Sequence, residues 1–107
     1  MADSSERRHN IRVRVRWPVT VETSHGTIEG ETVNISPAGG YIQCPLALDP
    51  GHMVALTISP NDHPPMKIKA EVIWVATAPP FGMGVFFEEI SNADRGYLSE
   101  VVQRELG

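Results

Sequence analysis

A chain of 107 residues, 41% apolar and 21% charged, has the size and balance of one soluble globular domain that can bury a core without metals or disulfides. The one cysteine, Cys44, excludes an internal disulfide. No apolar run approaches the ~20 residues of a membrane span, and residues 1–10 lack the apolar centre of a signal peptide. A cytoplasmic protein without membrane insertion is therefore expected. The formal charge of −4 conceals an asymmetry: residues 1–16 carry five arginines against Asp3 and Glu6, a balance of +3, while the remainder stands at −7. A basic arm on an acidic body points to a local anion site rather than to a whole-surface polyanion binder.

Proline and glycine punctuate the chain at short intervals, which favours short strands over long helices. Val13, Val15 and Trp17 alternate with Arg12, Arg14 and Arg16, and Val19 and Val21 continue the period of two. A first strand is expected over residues 15–23. Ser24-His25-Gly26 reads as a hairpin turn, and a second strand should follow over 27–35. Ser36-Pro37-Ala38-Gly39 breaks that strand. A short strand over 41–44, a turn at Leu48-Asp49-Pro50-Gly51 and a strand over 54–58 come next. Residues 66–76 form the longest expected strand, with Ile68, Ala70, Val72 and Trp74 assigned to one face, and a last strand is expected over 84–88. Six short antiparallel strands with tight connections favour a barrel or a sandwich, and a barrel removes the exposed edges.

The C-terminal segment changes period. Ser91 is placed to cap a helix, with Asp94 at its third position. Leu98, Val101, Val102 and Leu106 then recur at helical spacing, with Tyr97 beside them, so one stripe should pack on the barrel.

Chemistry is sparse. His9, His25, His52 and His63 are scattered without the spacing of a zinc site, and His25 and His63 fall in expected turns, where exposure is the default. Cys44 reads as a small buried apolar residue rather than a reactive thiol. Ser36 lacks a nucleophile elbow, the acids are dispersed, and Gly82-Met83-Gly84 is no dinucleotide fingerprint. The residues carry no enzyme signature and call for no cofactor. Two features remain. Arg8 and Arg12, four apart, stand just before the first strand, with Arg7 alongside. Guanidinium forks bind phosphate bidentately, stack on rings and reach the O6/N7 edge of guanine. The second is Asn34-Ile35-Ser36-Pro37-Ala38-Gly39-Gly40, a strand end running into a glycine turn. Alternation puts Asn34 and Ser36 on one outward face with Ile35 inside, and Gly39 or Gly40 is expected to turn the backbone with positive φ. Taken singly, Asn34 or Ser36 is more commonly an Asx or Ser turn that caps a strand.

Together these features resemble the PilZ family, whose paired motifs are Arg-x-x-x-Arg and Asp/Asn-x-Ser-x-x-Gly. Arg8 and Arg12 match the first, and Asn34, Ser36 and Gly39 match the second. Arg12-Val13-Arg14-Val15-Arg16-Trp17-Pro18-Val19, Glu71-Val72-Ile73-Trp74 and Gly84-Val85-Phe86-Phe87 look like the family's early and late strands, in the right order. Arg12 and Arg16 also satisfy the arginine spacing; Arg8 and Arg12 are preferred because the family sets its second arginine directly before the strand. The resemblance implies a mainly β fold, a six-stranded antiparallel β-barrel with a C-terminal α-helix. Residues 1–11 would be a flexible basic arm and residues 12–107 the single domain. It further implies cyclic di-GMP as ligand, bound by Arg7, Arg8, Arg12, Asn34, Ser36, Gly39 and Gly40, with binding read by a downstream protein partner. The alternative is a PilZ-like adaptor that meets a protein partner without nucleotide. Binding to a nucleic acid polymer is disfavoured by the acidic body and the absence of a stacking platform.

Overall fold

Alternating valines, isoleucines and methionines between short turns give six strands that close on themselves: β1 (Pro18–Thr23), β2 (Gly26–Ile35), β3 (Gly39–Gln43), β4 (Met53–Ile58), β5 (Met66–Val75) and β6 (Gly82–Glu89). A helix, α1 (Asn92–Leu106), follows. The computed structural model describes residues 11–45 and 48–106. Neighbours around the closed barrel run β1-β2-β3-β6-β5-β4, every pair antiparallel, so each strand edge is paired.

Apart from Thr32 on β2, the buried side chains of the strands are apolar: Val19 and Val21, Ile35, Ile42, Val54, Leu56 and Ile58, Met66, Ile68, Ala70 and Val72, then Met83, Val85 and Phe87. Helix α1 closes one end with Leu98, Val101 and Val102, all buried. Ser91 is its N-cap, accepting from the Asp94 amide at 3.1 Å. The expected stripe stops short of the C-terminus, because Leu106 is 60% exposed. Two glycines adopt positive φ, Gly26 in the β1–β2 hairpin and Gly51 in the turn before β4, both where turn residues had been read.

Three further expectations are corrected. The first strand begins at Pro18 rather than residue 15. The alternation over residues 11–17 is real, with Val13 and Trp17 buried and the three arginines exposed. A side chain interrupts the ladder there: Thr32 Oγ1 accepts from the Trp17 amide at 2.9 Å and donates to the Val15 carbonyl. The second correction is in β5, where a register shift between Val72 and Trp74 breaks the period of two. Val72 is buried, but Ile73 and Trp74 both lie outside, so Trp74 does not share the face of Ile68 and Ala70. The third concerns His63, which is half-buried rather than free in its turn. Its Nε2 lies 3.0 Å from Asp94 Oδ1, and its ring stacks on Tyr97 at 3.9 Å.

Candidate functional site

The segment before β1 crosses the end of β2. Val13 and Ile35 exchange both backbone hydrogen bonds at 2.9 Å in an isolated antiparallel bridge. In an antiparallel pair residues one step either side of a bridge stand level, so Arg12 is level with Ser36 and Arg14 with Asn34. Two stretches more than twenty positions apart in sequence thus meet at one barrel rim. Arg12 and Arg14 are exposed, and neither has a carboxylate within ion-pair distance among the described residues. Arg16 differs: its Nε sits 3.6 Å from Glu31 Oε1.

The turn after β2 is built by Ser36. Its amide donates to the Gly39 carbonyl at 2.8 Å, and its hydroxyl accepts from the Ala38 and Gly39 amides at 3.1 and 3.2 Å. The same hydroxyl donates back to the Gly39 carbonyl at 3.2 Å, which uses its proton and both lone pairs. Ser36 is 1% exposed, so the expected outward orientation is corrected for this residue. Gly39 and Gly40 are likewise not in positive φ; both belong to β3. What requires glycine is close approach. A Cβ on Gly39 would strike the Val85 carbonyl, and one on Gly40 would lie 2.6 Å from the Asn34 carbonyl oxygen.

Asn34 is the exception in this well-bonded turn. The residue is half-buried, and its Oδ1 is shut from solvent with no hydrogen-bond partner among the described residues. Burying an unpaired amide oxygen costs roughly 1–3 kcal/mol, a cost that a hydrogen-bond donor reaching it would relieve. Arg7 and Arg8 lie outside the described residues. Among the described residues, no group of three His, Cys, Asp or Glu side chains is positioned to hold a metal ion. No helix among them is long and apolar enough to cross a membrane.

Neighbouring strands extend the Asn34 row. Asn34 pairs with Tyr41 on β3, Tyr41 with Gly84 on β6, and Gly84 with Trp74 on β5. Lacking a side chain, Gly84 lets Tyr41 and Trp74 close over β6 and stack at 5.0 Å with planes 3° apart. The Tyr41 hydroxyl donates to the Pro80 carbonyl at 2.9 Å, and burial, with the nearby Cys44 second, holds its pKa above the usual tyrosine value. The pattern of residues alone hid this stack, because reaching it requires the β5 irregularity.

A closed six-stranded barrel capped by a C-terminal helix, with an arginine segment laid against the turn after β2, defines a small antiparallel β-barrel domain. The PilZ domain family model matches residues 6–104, and the chain belongs to that family. Solved structures agree on the fold. The inhibitor of motility MotI/DgrA of Bacillus subtilis superimposes with a TM-score of 0.79 at 19% identity, over 90% of this chain and 49% of that one, so this chain spans about half its length. The PilZ domain of YcgR from Escherichia coli, solved with c-di-GMP, gives 0.72 at 11% identity, covering 90% of this chain and 88% of that one. The PilZ domain of CeSA from a cellulose-synthesizing bacterium gives 0.60 at 20% identity, with 91% and 98% covered. A search of curated protein sequences finds no match.

Proposed function

We propose that the protein is a cyclic di-GMP receptor domain, and that nucleotide binding at the Arg12–Asn34 rim is passed on to a protein partner. The observation that supports this best is the Val13–Ile35 bridge, which sets two arginines level with the end of β2 and its turn, where, among the described residues, the arginines have no carboxylate partner and Asn34 Oδ1 no hydrogen bond. Guanidinium groups supply charge-assisted donors for a diester phosphate and a flat face for guanine, and Asn34 Oδ1 can accept from guanine's N1 and N2 hydrogens. Ser36, Gly39 and Gly40 act through the turn's shape. Their packed backbone brings the chain close to the ligand without spending the Ser36 hydroxyl. In this reading the arm of residues 1–11, which carries Arg7 and Arg8, folds over the ligand. The domain makes and breaks no covalent bond; it converts binding into order.

Isothermal titration of the full chain with cyclic di-GMP tests the proposal. Saturable binding that weakens with added salt is expected, because partly exposed phosphate contacts are screened. Absence of binding at millimolar nucleotide would leave the alternative, an adaptor that meets its partner without nucleotide. Amide exchange at Arg7, Arg8 and Arg12 should slow on saturation, with little change along Leu98, Val101 and Val102. An unchanged arm would separate signalling from arm ordering.

A further inference from the structure

The outer face of β5 and β6 carries large apolar groups that the barrel does not use. Ile73 and Trp74 are 46% and 42% exposed, and Phe86 is 44% exposed. They stand together because of the irregularity after Val72. In a regular strand Trp74 would follow Val72 into the core; the shift turns two consecutive apolar residues outward instead. Trp74 is also held rigidly, stacked on Tyr41 across Gly84, so docking against it costs little side-chain entropy. A preordered tryptophan beside an exposed phenylalanine is the composition of a binding hot spot. Isolated exposed apolar residues need no explanation, but three in one patch on two paired strands do.

Charge selects the occupant. Glu71 is directly opposite Phe86, and the exposed Glu88 follows on β6 at the register shift beside Lys69 and Ala70. Lys69, exposed on β5 two residues before Glu71, is 3.7 Å from Glu89. Carboxylates at the rim repel phosphates, which disfavours nucleotide here. They also disfavour a second copy face to face, since like carboxylates would meet. We propose that this face docks a protein partner whose contacting segment presents apolar side chains flanked by lysine or arginine. The patch adjoins the ligand rim, because Gly39 pairs with Phe86 and the Phe87 amide donates to the Ala38 carbonyl at 2.8 Å. The docking proposal itself stands apart from the nucleotide reading.

Nuclear magnetic resonance on the full chain tests it, using a synthetic amphipathic peptide with leucine on one face and flanking lysines. A matched peptide with glutamate in place of lysine is the control. The lysine peptide should shift the Trp74 indole N–H and the amides of Ile73 and Phe86 while leaving the buried Trp17 indole in place. It should bind at least about tenfold more tightly than the glutamate peptide. Phe86→Ser should weaken it by a similar factor. The Glu71→Lys, Glu88→Lys double variant, whose changes sit at the rim, should reverse the peptide preference, so the result does not depend on Phe86→Ser folding well. Equal binding of the two peptides, or shifts on another face, would overturn the proposal. Shifts of the Trp74 indole by cyclic di-GMP alone would reassign the face to nucleotide, and shifts on raising protein concentration alone would reassign it to self-association.

Discussion

Two polar clusters sit on this barrel, and they differ in how completely they satisfy themselves. At the helix corner Asp62, His63, Asp94, Tyr97 and Arg104 bond among themselves. His63 meets Asp94, Tyr97 donates to Asp62, and Arg104 Nη1 lies 3.5 Å from Asp62 Oδ2. Trp17 backs the cluster, its ring 6.0 Å from that of Tyr97. At the rim by β2 and β3, the Ser36 turn is equally saturated. Beside it, however, stand Asn34 Oδ1 with no partner and Arg12 and Arg14 with no carboxylate among the described residues. A closed network fixes structure, whereas an open one costs stability that only an added donor or anion recovers. The contrast therefore divides the motif residues into those that shape the rim and those left open at it.

The hardest test of that division is Gly39→Val. Its side chain would meet the backbone of Val85 and Phe86, which cannot rotate away. A loss of about 3 kcal/mol or more is expected, visible as a collapsed or strongly lowered thermal melt. A normal melt would mean that β3 and β6 are not packed as described.

Next comes the contrast between arginines. Arg12→Ala should cost about 1.5–3 kcal/mol of cyclic di-GMP binding, at least tenfold, with little change in melting temperature. Arg16→Ala should cost under about 1 kcal/mol, since Arg16 is engaged with Glu31 in an exposed pair. Titrating both at one salt concentration decides between the two arginine registers; a larger loss from Arg16 would move the motif.

Ser36 and Asn34 then sharpen the comparison within the turn. Ser36→Ala removes the acceptor of two amides at a buried site, so stability should fall by about 1–3 kcal/mol in a denaturant melt. Asn34→Ala removes an oxygen with no partner and should cost well under that, about 1 kcal/mol or less, while weakening nucleotide binding. Equal stability losses would erase the distinction between shaping and reading residues.

Much of this was legible from residues alone, for physical reasons. Buried faces of a closed barrel impose the period of two that Val19, Val21, Ile68 and Ala70 display, and the helix announces itself through Ser91 and the Leu98–Val101–Val102 spacing. Both motifs could be singled out because arginines and a glycine turn stand out against apolar alternation. What could not be read was whatever an irregular strand re-aims. The shift after Val72 reverses Trp74, and the shift between Thr32 and Asn34 goes with a Thr32 hydroxyl that intercepts the ladder before Pro18. Contacts between distant residues were equally hidden: His63 and Asp94 are 31 positions apart, and neither advertises the other. Gly39 was recognised as necessary but for a different cause, close approach rather than positive φ.

The smallest expected effect lies at the closed corner, as a pH dependence of helix docking. Asp62 is held below its ordinary 3.8 chiefly by the Tyr97 hydroxyl, with Arg104 adding to it. Tyr97 is held above its ordinary 10.0 by burial first and then by its bond to Asp62. A depressed carboxylate contributes stability above its unfolded value and loses it as pH falls through the folded one. A raised phenol contributes below its unfolded value and loses that contribution as pH rises through the folded one. The corner should thus be intact between roughly pH 4 and 10 and weaken on either side of that window. Tyr97→Phe keeps the ring that stacks on His63 but removes the donor, so it should flatten both edges at a cost of about 1 kcal/mol or less at neutral pH. Thermal melts of parent and variant across pH 3–11 make the measurement, with the difference between the two curves as the readout. A difference that does not vary with pH would show that the ring stack alone, and not the hydrogen bond to Asp62, holds the helix to the β4–β5 loop.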